Sequence, residues 1–283
     1  MNKFGGDWTE NKIEILVEYA KAYLTIMNSF ATKYSWKLLY FDGFAGSGVI
    51  HKEKNKKIII GAATRILEIN NPRSFDLYYF VEKEVDNAKE LKERVDSLAL
   101  SKEIHIVNTD CNEKIESLSR FLSSRKGSQY KTLAYIDPCG MQLNWSSLKA
   151  LEKLSVDVWV LIPTGMGVNR LLKKDGNISG AWISKLEIFL GISKDEIIEY
   201  FYKEKTIKTL FGEETSTNKE KKAIEKSAQL YQDRLKTLFK YVSKPYILKN
   251  TTNSVMFHFL MATNNKNAVK IADEIVTKYN KIN

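Results

Sequence analysis

Five short apolar runs punctuate the first half of the chain, and amphipathic stretches alternate with them. The runs are Lys37 to Asp42, Asp76 to Glu82, Ile104 to Asp110, Lys131 to Asp137 and Asp157 to Pro163. Their near-continuous hydrophobicity predicts strands buried on both faces, as in a parallel sheet. Helices are expected between them at Gly61 to Ile69, Val85 to Leu100, Glu113 to Ser123 and Ser146 to Leu154. Ahead of the first strand, Ile13, Leu16, Val17, Ala20, Tyr23, Leu24 and Met27 recur at helical spacing within Trp8 to Phe30. Thr9 is the expected N-cap of that helix, with Lys12 where a capping box would carry glutamate. His51 to Lys57 reads as a short basic loop. Alternation at this pace predicts a Rossmann-like, doubly wound, mostly parallel α/β sheet.

After the fifth strand the periodicity weakens. Thr164 to Glu220 reads as a helical insertion, a substrate or partner subdomain, set into a core formed by 1–163 and 221–283. Ala223 to Phe239 is again helical. Tyr246 to Asn250 and Ser254 to Thr263 flank Thr251-Thr252-Asn253 and predict a C-terminal hairpin, and Asn267 to Tyr279 a last helix.

Charge changes the picture only in one direction. Of 283 residues, 44 are Lys or Arg and 34 Asp or Glu, a net charge of +10. Such a field suits phosphate backbones, though a lysine-rich solvated surface gives the same balance. Lys203 to Lys249 concentrates twelve basic residues against six acidic ones, with Tyr200, Phe201, Tyr202 and Tyr231 close by. That is either a nucleic-acid surface or solvated helix faces over core aromatics. No run of about eighteen apolar residues is present to span a membrane. The first ten residues lack the apolar centre of a secretory signal. Two cysteines without a CxxC pair disfavour a zinc site or a disulfide framework, and a cytoplasmic location is expected.

The chemistry concentrates at the strand ends. The first strand runs into Asp42-Gly43-Phe44-Ala45-Gly46-Ser47-Gly48. Gly46 and Gly48 permit positive φ and close approach to the backbone. An acid at the strand end suits a cationic group better than a pyrophosphate, and the α-ammonium of S-adenosylmethionine is such a group. Asp42, Glu82, Asp110 and Asp137 would line one rim, because parallel strands share their carboxyl-end edge. On this reading Asp42, Phe44, Ala45, Gly46 and Gly48 hold the methionine end. Glu82, with Lys83 after it, accepts from the ribose hydroxyls, each such bond contributing about 1.5–3 kcal/mol. Asp110, with Cys111 beside it, accepts from the adenine amino group. Strand-end acids also serve as helix N-caps, and Asp110-Cys111-Asn112-Glu113 fits that role equally.

Asp137-Pro138-Cys139-Gly140 occupies the place of the Asp-Pro-Pro-Tyr found in many methyltransferases of exocyclic amines. There the carboxylate and a proline carbonyl grip the amine while the aromatic stacks on a flipped base. Here Cys139 and Gly140 replace the second proline and the tyrosine, leaving Trp145 or Tyr135 as candidates for stacking. Asp137 and Pro138 are the expected acceptor-orienting residues, with Gly140 beside them. A Pro-Cys pair also occurs in cytosine-C5 methyltransferases, which share the Phe-Ala-Gly of the first loop. The Glu-Asn-Val segment that protonates the ring is absent, so Cys139 is read first as a small buried thiol.

Trp8 to Lys12, Tyr40 to Gly48, Tyr79 to Lys83, Asp137 to Trp145 and Gly165-Met166-Gly167-Val168-Asn169-Arg170-Leu171-Leu172 together resemble the three-Cys-motif partner proteins, TcmP. The resemblance covers nearly the whole chain, and Gly165 to Arg170 is its most specific element. It implies a class I methyltransferase fold and a partner, encoded nearby, whose three-cysteine motif suggests an iron–sulfur radical enzyme. The family usually carries an aromatic where this chain has Cys139. Gly165 to Arg170 follows the fifth strand on the same rim, so Asn169 is read as recognising an amide or base edge and Arg170 as holding a phosphate or carboxylate. The alternative is a glycine turn with Arg170 on a solvated helix face.

The expected activity is methyl transfer from S-adenosylmethionine, with nucleic acid as acceptor. A non-catalytic nucleic-acid or protein-binding module on the same fold is the alternative. A nicotinamide-dependent enzyme is disfavoured by the spacing of Gly-Phe-Ala-Gly-Ser-Gly and by Asp42.

Overall fold

A computed structural model describes residues 7–52, 57–209 and 212–281. Its centre is an eight-stranded sheet. Five strands are parallel: β1 (Lys37–Asp42), β4 (Leu77–Glu82), β5 (Glu103–Asn108), β6 (Tyr130–Ile136) and β7 (Val156–Ile162). Antiparallel β12 (Val255–Thr263) follows β7, and pairs in turn with the short β10 (Tyr241–Val242) and with β11 (Tyr246–Lys249). The order is β5-β4-β1-β6-β7-β12-β10. This is the doubly wound, mostly parallel sheet expected from the sequence, and β11 and β12 form the expected hairpin around Asn253 at φ 61°.

Side-chain alternation builds a core on each face. Leu38, Tyr40, Tyr78, Phe80, Tyr135, Trp159 and Leu161 are buried toward α1 (Asp7–Tyr34) and α10 (Lys266–Asn280). Leu39, Phe41, Val81, Ala134, Ile136, Val158, Val160 and Ile162 are buried on the opposite side, with α4 (Cys111–Ser123), α5 (Trp145–Lys149) and α9 (Ala223–Leu238). Both faces are covered, which is why these strands read as unbroken apolar runs. Each fully buried large side chain contributes about 1.5–3 kcal/mol.

Three expectations need correction. Val49–Lys52 and Lys57–Ile60 pair antiparallel as β2 and β3, so both ends of the stretch read as a basic loop, His51-Lys52 and Lys57, are strand; positions 53–56 lie outside the described residues. Thr9 lies inside α1, not at its cap. The insertion is not wholly helical. After α7 (Gly180–Leu190) and α8 (Lys194–Phe201), Tyr202–Thr209 and Gly212–Lys219 pair antiparallel as β8 and β9. Leu186, Phe189, Ile197, Phe201 and Tyr202 of this region belong to the same buried cluster as β6 and β7. Phe201 and Tyr231 are fully buried and Tyr202 nearly so, which makes them core rather than exposed stacking platforms. No described helix is long and apolar enough to cross a membrane.

His258 on β12 is 4% exposed and shares a 2.8 Å hydrogen bond between its Nδ1 and Thr164 Oγ1. Burial pushes its pKa down to about 4, partly opposed by Glu225. Unfolding restores the ordinary value of about 6.5, so the unfolded chain binds the extra proton between these values. The neutral histidine therefore favours the fold above pH 6.5, and that contribution is lost as pH falls toward 4. It amounts to about 3 kcal/mol over the window. Urea unfolding at both pH values is expected to show wild type losing about that much more stability than His258→Gln.

Candidate active site

The loop after β1 is fixed by its neighbours before any ligand is considered. The Gly43 N–H donates to Tyr135 O at 2.9 Å and the Ala45 N–H to Val81 O at 2.9 Å, so the loop continues the sheet onto both flanking strands. Gly46 at φ 61° and Gly48 at φ 79° take the left-handed conformation expected of them. At Gly48 space is also short, since a Cβ there would stand 3.0 Å from Leu91 Cδ1 and 3.1 Å from Thr64 Oγ1. Gly61, which donates to Gly48 O at 2.8 Å, is glycine because its own Cβ would stand 2.8 Å from that carbonyl. At Gly46 nothing lies within 4 Å of where a Cβ would stand, which leaves room beside the backbone.

A cleft of about 140 Å³ opens over this loop. Asp42, Phe44, Ala45, Gly46, Gly48, Asp137, Pro138 and Cys139 line it, together with Thr9, Lys12 and Ile13 of α1. The structure thus brings the first-strand acid, the glycine loop and the fourth-strand Asp-Pro pair into one place. Asp42 is 1% exposed; its Oδ1 accepts the Phe44 N–H at 3.1 Å and its Oδ2 the Tyr40 hydroxyl at 3.5 Å. Burial raises its pKa to about 8, with the Asp137 and Glu82 carboxylates adding to the rise. Asp137 Oδ2 accepts from Lys12 Nζ at 2.5 Å and from Tyr135 Oη at 2.8 Å. Thr9 Oγ1 is buried at the cleft and has no hydrogen-bond partner among the described residues.

Glu82 and Asp110 lie on the same rim, but outside the lining of this cleft. Glu82 accepts the Gly46 N–H on Oε2 and the Glu84 N–H on Oε1, each at 2.8 Å, and so ties the glycine loop to the end of β4. Asp110 caps α4 by accepting the Asn112 N–H at 2.8 Å, and pairs with exposed Lys83 at 3.1 Å. Burial opposes ionisation of Asp110, yet these partners hold its pKa below the usual carboxylate range. Cys111 is buried directly beneath Gly43, where a Cβ would approach its Sγ to 2.4 Å. Burial first, then Asp110 and Asp42, push its thiol well up.

Cys139 is exposed, not the small buried thiol expected. Its pKa is raised by desolvation of the sulfur and by Asp137, against Lys12, so the thiolate a nucleophile needs is disfavoured. Gly140 is open on its Cβ side and stands next to the lining. Trp145 is buried against Tyr231 and Arg234, with Gly191 packed on its ring, and is unavailable for stacking on a ligand.

Gly165 to Arg170 does not line the cleft. Thr164–Val168 forms a single π-helical turn, in which a Cβ on Gly165 would stand 2.0 Å from Val255 O. Asn169 Oδ1 accepts from Lys219 Nζ at 3.1 Å, and Arg170 lies exposed in the short helix that follows. The glycines here are explained by packing, Gly165 on β12 and Gly167 against Met141 and Pro163. The site residue that sequence reading missed is Lys12. The signal was its poor fit as a capping-box residue on the otherwise apolar face of α1.

No family model matches the chain, and no curated protein matches it. Solved structures do. Trm1 from Pyrococcus horikoshii, in complex with S-adenosyl-L-methionine, is 14% identical over 96% of this chain and 72% of that one, at TM-score 0.40. An S-adenosylmethionine-dependent methyltransferase from Clostridium acetobutylicum is 9% identical over 91% and 92%, at 0.34. The putative methyltransferase yhhF from Escherichia coli is 11% identical over 70% and 84%, at 0.31. All three superpose at TM-scores below 0.5, and the functional reading rests on the geometry of the site itself.

Lys12 and Asp137 are 6% and 20% exposed at their side chains, so removing one partner leaves the other charge poorly solvated. Lys12→Met is expected to cost about 3 kcal/mol in urea unfolding. Adding Asp137→Asn is expected to restore about 1–2 kcal/mol of that loss, a coupling read from the double-mutant cycle.

Proposed function

We propose that this chain is an S-adenosylmethionine-dependent methyltransferase whose acceptor is nucleic acid. The observation that carries the reading is the buried Asp42 carboxyl beneath an open, glycine-lined backbone at the carboxyl end of the central strand, facing Asp137-Pro138 across the same cleft. The sheet order supports it, since an antiparallel strand between the fifth parallel strand and the edge is the arrangement of class I methyltransferases.

The residues fit that cofactor. Asp42 offers a carboxylate to an α-ammonium, and a cation beside it offsets the burial that keeps the acid protonated. The open space at Gly46 admits the amino-acid end against the backbone. The cleft is smaller than the roughly 300–1,000 Å³ of drug-sized ligand pockets. The nucleoside end would therefore lie outward along the rim, toward Glu82, Lys83, Asp110 and Cys111. Glu82 already holds two backbone N–H groups, one on each oxygen, and each oxygen keeps a lone pair that would accept from a ribose hydroxyl.

Bound there, the cofactor supplies an electrophilic methyl carbon on its sulfonium, so the protein's task is alignment and electrostatics. Asp137 accepts a hydrogen bond from the acceptor's N–H and thereby aims its lone pair. Lys12 and Tyr135 hold that carboxylate in place from behind. Pro138, buried in the wall of the cleft beside it, would offer its carbonyl to the same N–H-bearing group. Cys139 takes no nucleophilic part. The net charge of +10 supports a polyanionic acceptor. The segments shared with three-Cys-motif partner proteins, Gly165 to Leu172 above all, support a three-cysteine-motif protein as the working partner. On that reading Asn169 and Arg170 belong to its side of the acceptor site.

Asp42 titrates at about 8 in the free protein, so it is neutral at pH 6.5. An ammonium placed beside it favours the carboxylate, and binding therefore releases about one proton. Affinity for the cofactor is expected to fall by up to about tenfold per unit as pH drops from 7 to 5.5. Calorimetric titration in two buffers of different ionisation heat measures both quantities. Asp42→Asn is expected to bind at least about tenfold more weakly and to release no proton. Wild-type binding without proton release removes the assigned contact.

A second measurement tests the acceptor. Methyl label from tritiated cofactor is expected in RNA or DNA rather than in protein. Tight cofactor binding with transfer to no acceptor would favour the non-catalytic module.

A further inference from the structure

The opposite end of the sheet carries a different surface. Helix α1 ends at Tyr34, and Ser35 takes the left-handed conformation at φ 53°. That turn folds the chain back, so that the Trp36 N–H donates to Ala31 O at 3.0 Å and its ring lies against the last helical turn. Three rings gather there, with centroids 5.0 Å apart for Tyr34 and Trp36, 6.3 Å for Phe30 and Tyr34 and 6.5 Å for Phe30 and Trp36, at interplanar angles of 29°, 7° and 27°. They are not covered. Tyr34 is 50% exposed and Phe30 44%. A soluble chain rarely leaves stacked aromatics open without a partner.

Cations surround them. Lys131 Nζ stands 4.4 Å from the centre of the Trp36 ring and Lys33 Nζ 5.2 Å from that of Tyr34. A groove of about 460 Å³ continues from Trp36 along the starts of β6 and β7, past Lys131 and Lys153, to Lys240. Lys33, Lys37, Lys153 and Lys240 are exposed. The acids in this neighbourhood are engaged: Asp157 accepts from Tyr19 and Thr263, and Glu152 pairs with Lys153.

We propose that this amino-end rim of the sheet binds single-stranded nucleic acid, with bases stacked on Tyr34 and Phe30 and phosphates along the lysines. Open aromatic faces interleaved with ammonium groups are what such a strand needs, since every base has a π-face and every linkage a charge. The contacts carry no base-edge code, so recognition is tolerant of sequence. A rigid duplex keeps its bases stacked on one another and gains only the phosphate contacts. A second copy of this chain is the poorer occupant, because the same lysines would face each other. The inference names where the nucleic-acid acceptor of the proposed function is anchored, and rests on that reading. The anchor lies a full strand length, about 17 Å, from the cleft.

The test is fluorescence anisotropy with a fluorescein-labelled single-stranded RNA of about 12 nucleotides, a length within the usual site sizes. It is run without cofactor, and cofactor affinity is measured separately by calorimetry. Tyr34→Ala is expected to weaken RNA binding about tenfold, with Tyr34→Phe close to wild type. Lys33→Gln combined with Lys37→Gln is expected to reduce the slope of log affinity on log salt by about 1.4. All three variants are expected to keep wild-type cofactor affinity. Three results would overturn the anchor: unchanged RNA binding by Tyr34→Ala, equal or tighter binding of the matching duplex, or a wild-type dimer that Tyr34→Ala dissociates while RNA binding stays the same. Should the RNA bind as expected but the cofactor not at all, the anchor stands and the methyltransferase reading falls.

Discussion

The carboxylate of Glu82 decides where the loop after β1 can lie. A loop leaving a parallel strand has N–H groups with no ladder to join, and buried donors of that kind must be paired. Register supplies the partner. Asp42 pairs with Phe80, so Glu82 lies two residues past the end of β1, level with Phe44, and its carboxylate reaches on to the Gly46 N–H. Its two oxygens then hold the Gly46 and Glu84 N–H groups, each a charge-assisted bond contributing about 1.5–3 kcal/mol. The left-handed turns at Gly46 and Gly48 follow, as does the depth at which Asp42 is buried. An acid that looks like a ligand contact in the sequence is therefore first the clamp of the loop a ligand would touch.

Three carboxylates near one another are expensive, and the site answers each differently. Glu82 is compensated by backbone donors. Asp137 is compensated by an ammonium brought in from α1, 125 residues away in sequence, and by the Tyr135 hydroxyl. Asp42 is left with one N–H and a long hydroxyl contact, and its pKa rises accordingly. The uneven compensation gives the cleft one carboxylate fixed in place and one acid ready to ionise when a cation arrives.

Much of this was legible because it depends on strand polarity. Apolar runs locate the strands, and parallel pairing puts their terminal acids on one rim whatever else the chain does. The glycine conformations also follow, being local. What stayed hidden depends on which element packs where. Lys12 looks like an imperfect cap until α1 is laid across the strand ends. Asp110 reads equally as a cap or an adenine contact, and only the Asn112 and Lys83 partners show what it does in the free protein. The β2–β3 pairing was hidden by the charged sequence between the two strands, although Val49-Ile50 and Ile58-Ile59-Ile60 on either side are β-branched. The alternation in Thr206 to Lys219 was diluted by charge in the same way. Gly165 and Gly167 invite a functional reading, yet the neighbouring backbone of Val255 and the side chain of Met141 already exclude a Cβ there.

Strand polarity also sorts the charge of the whole molecule. Acids collect at the carboxyl rim and lysines at the amino rim, about one strand length apart. Ionic screening at physiological salt acts over about 8 Å, so the two fields are felt separately. On the proposed reading a phosphate backbone is drawn to the lysine rim, while at the other rim Asp42 is neutral in the free protein, Asp137 is engaged by Lys12 and Glu82 by two backbone N–H groups. The cleft would then receive a base edge carrying N–H donors, drawn out of its strand, so that holding the polyanion and presenting one of its bases would fall to opposite ends of the sheet. A net charge of +10 is thus compatible with three acids, Asp42, Glu82 and Asp137, gathered at the place assigned to the chemistry.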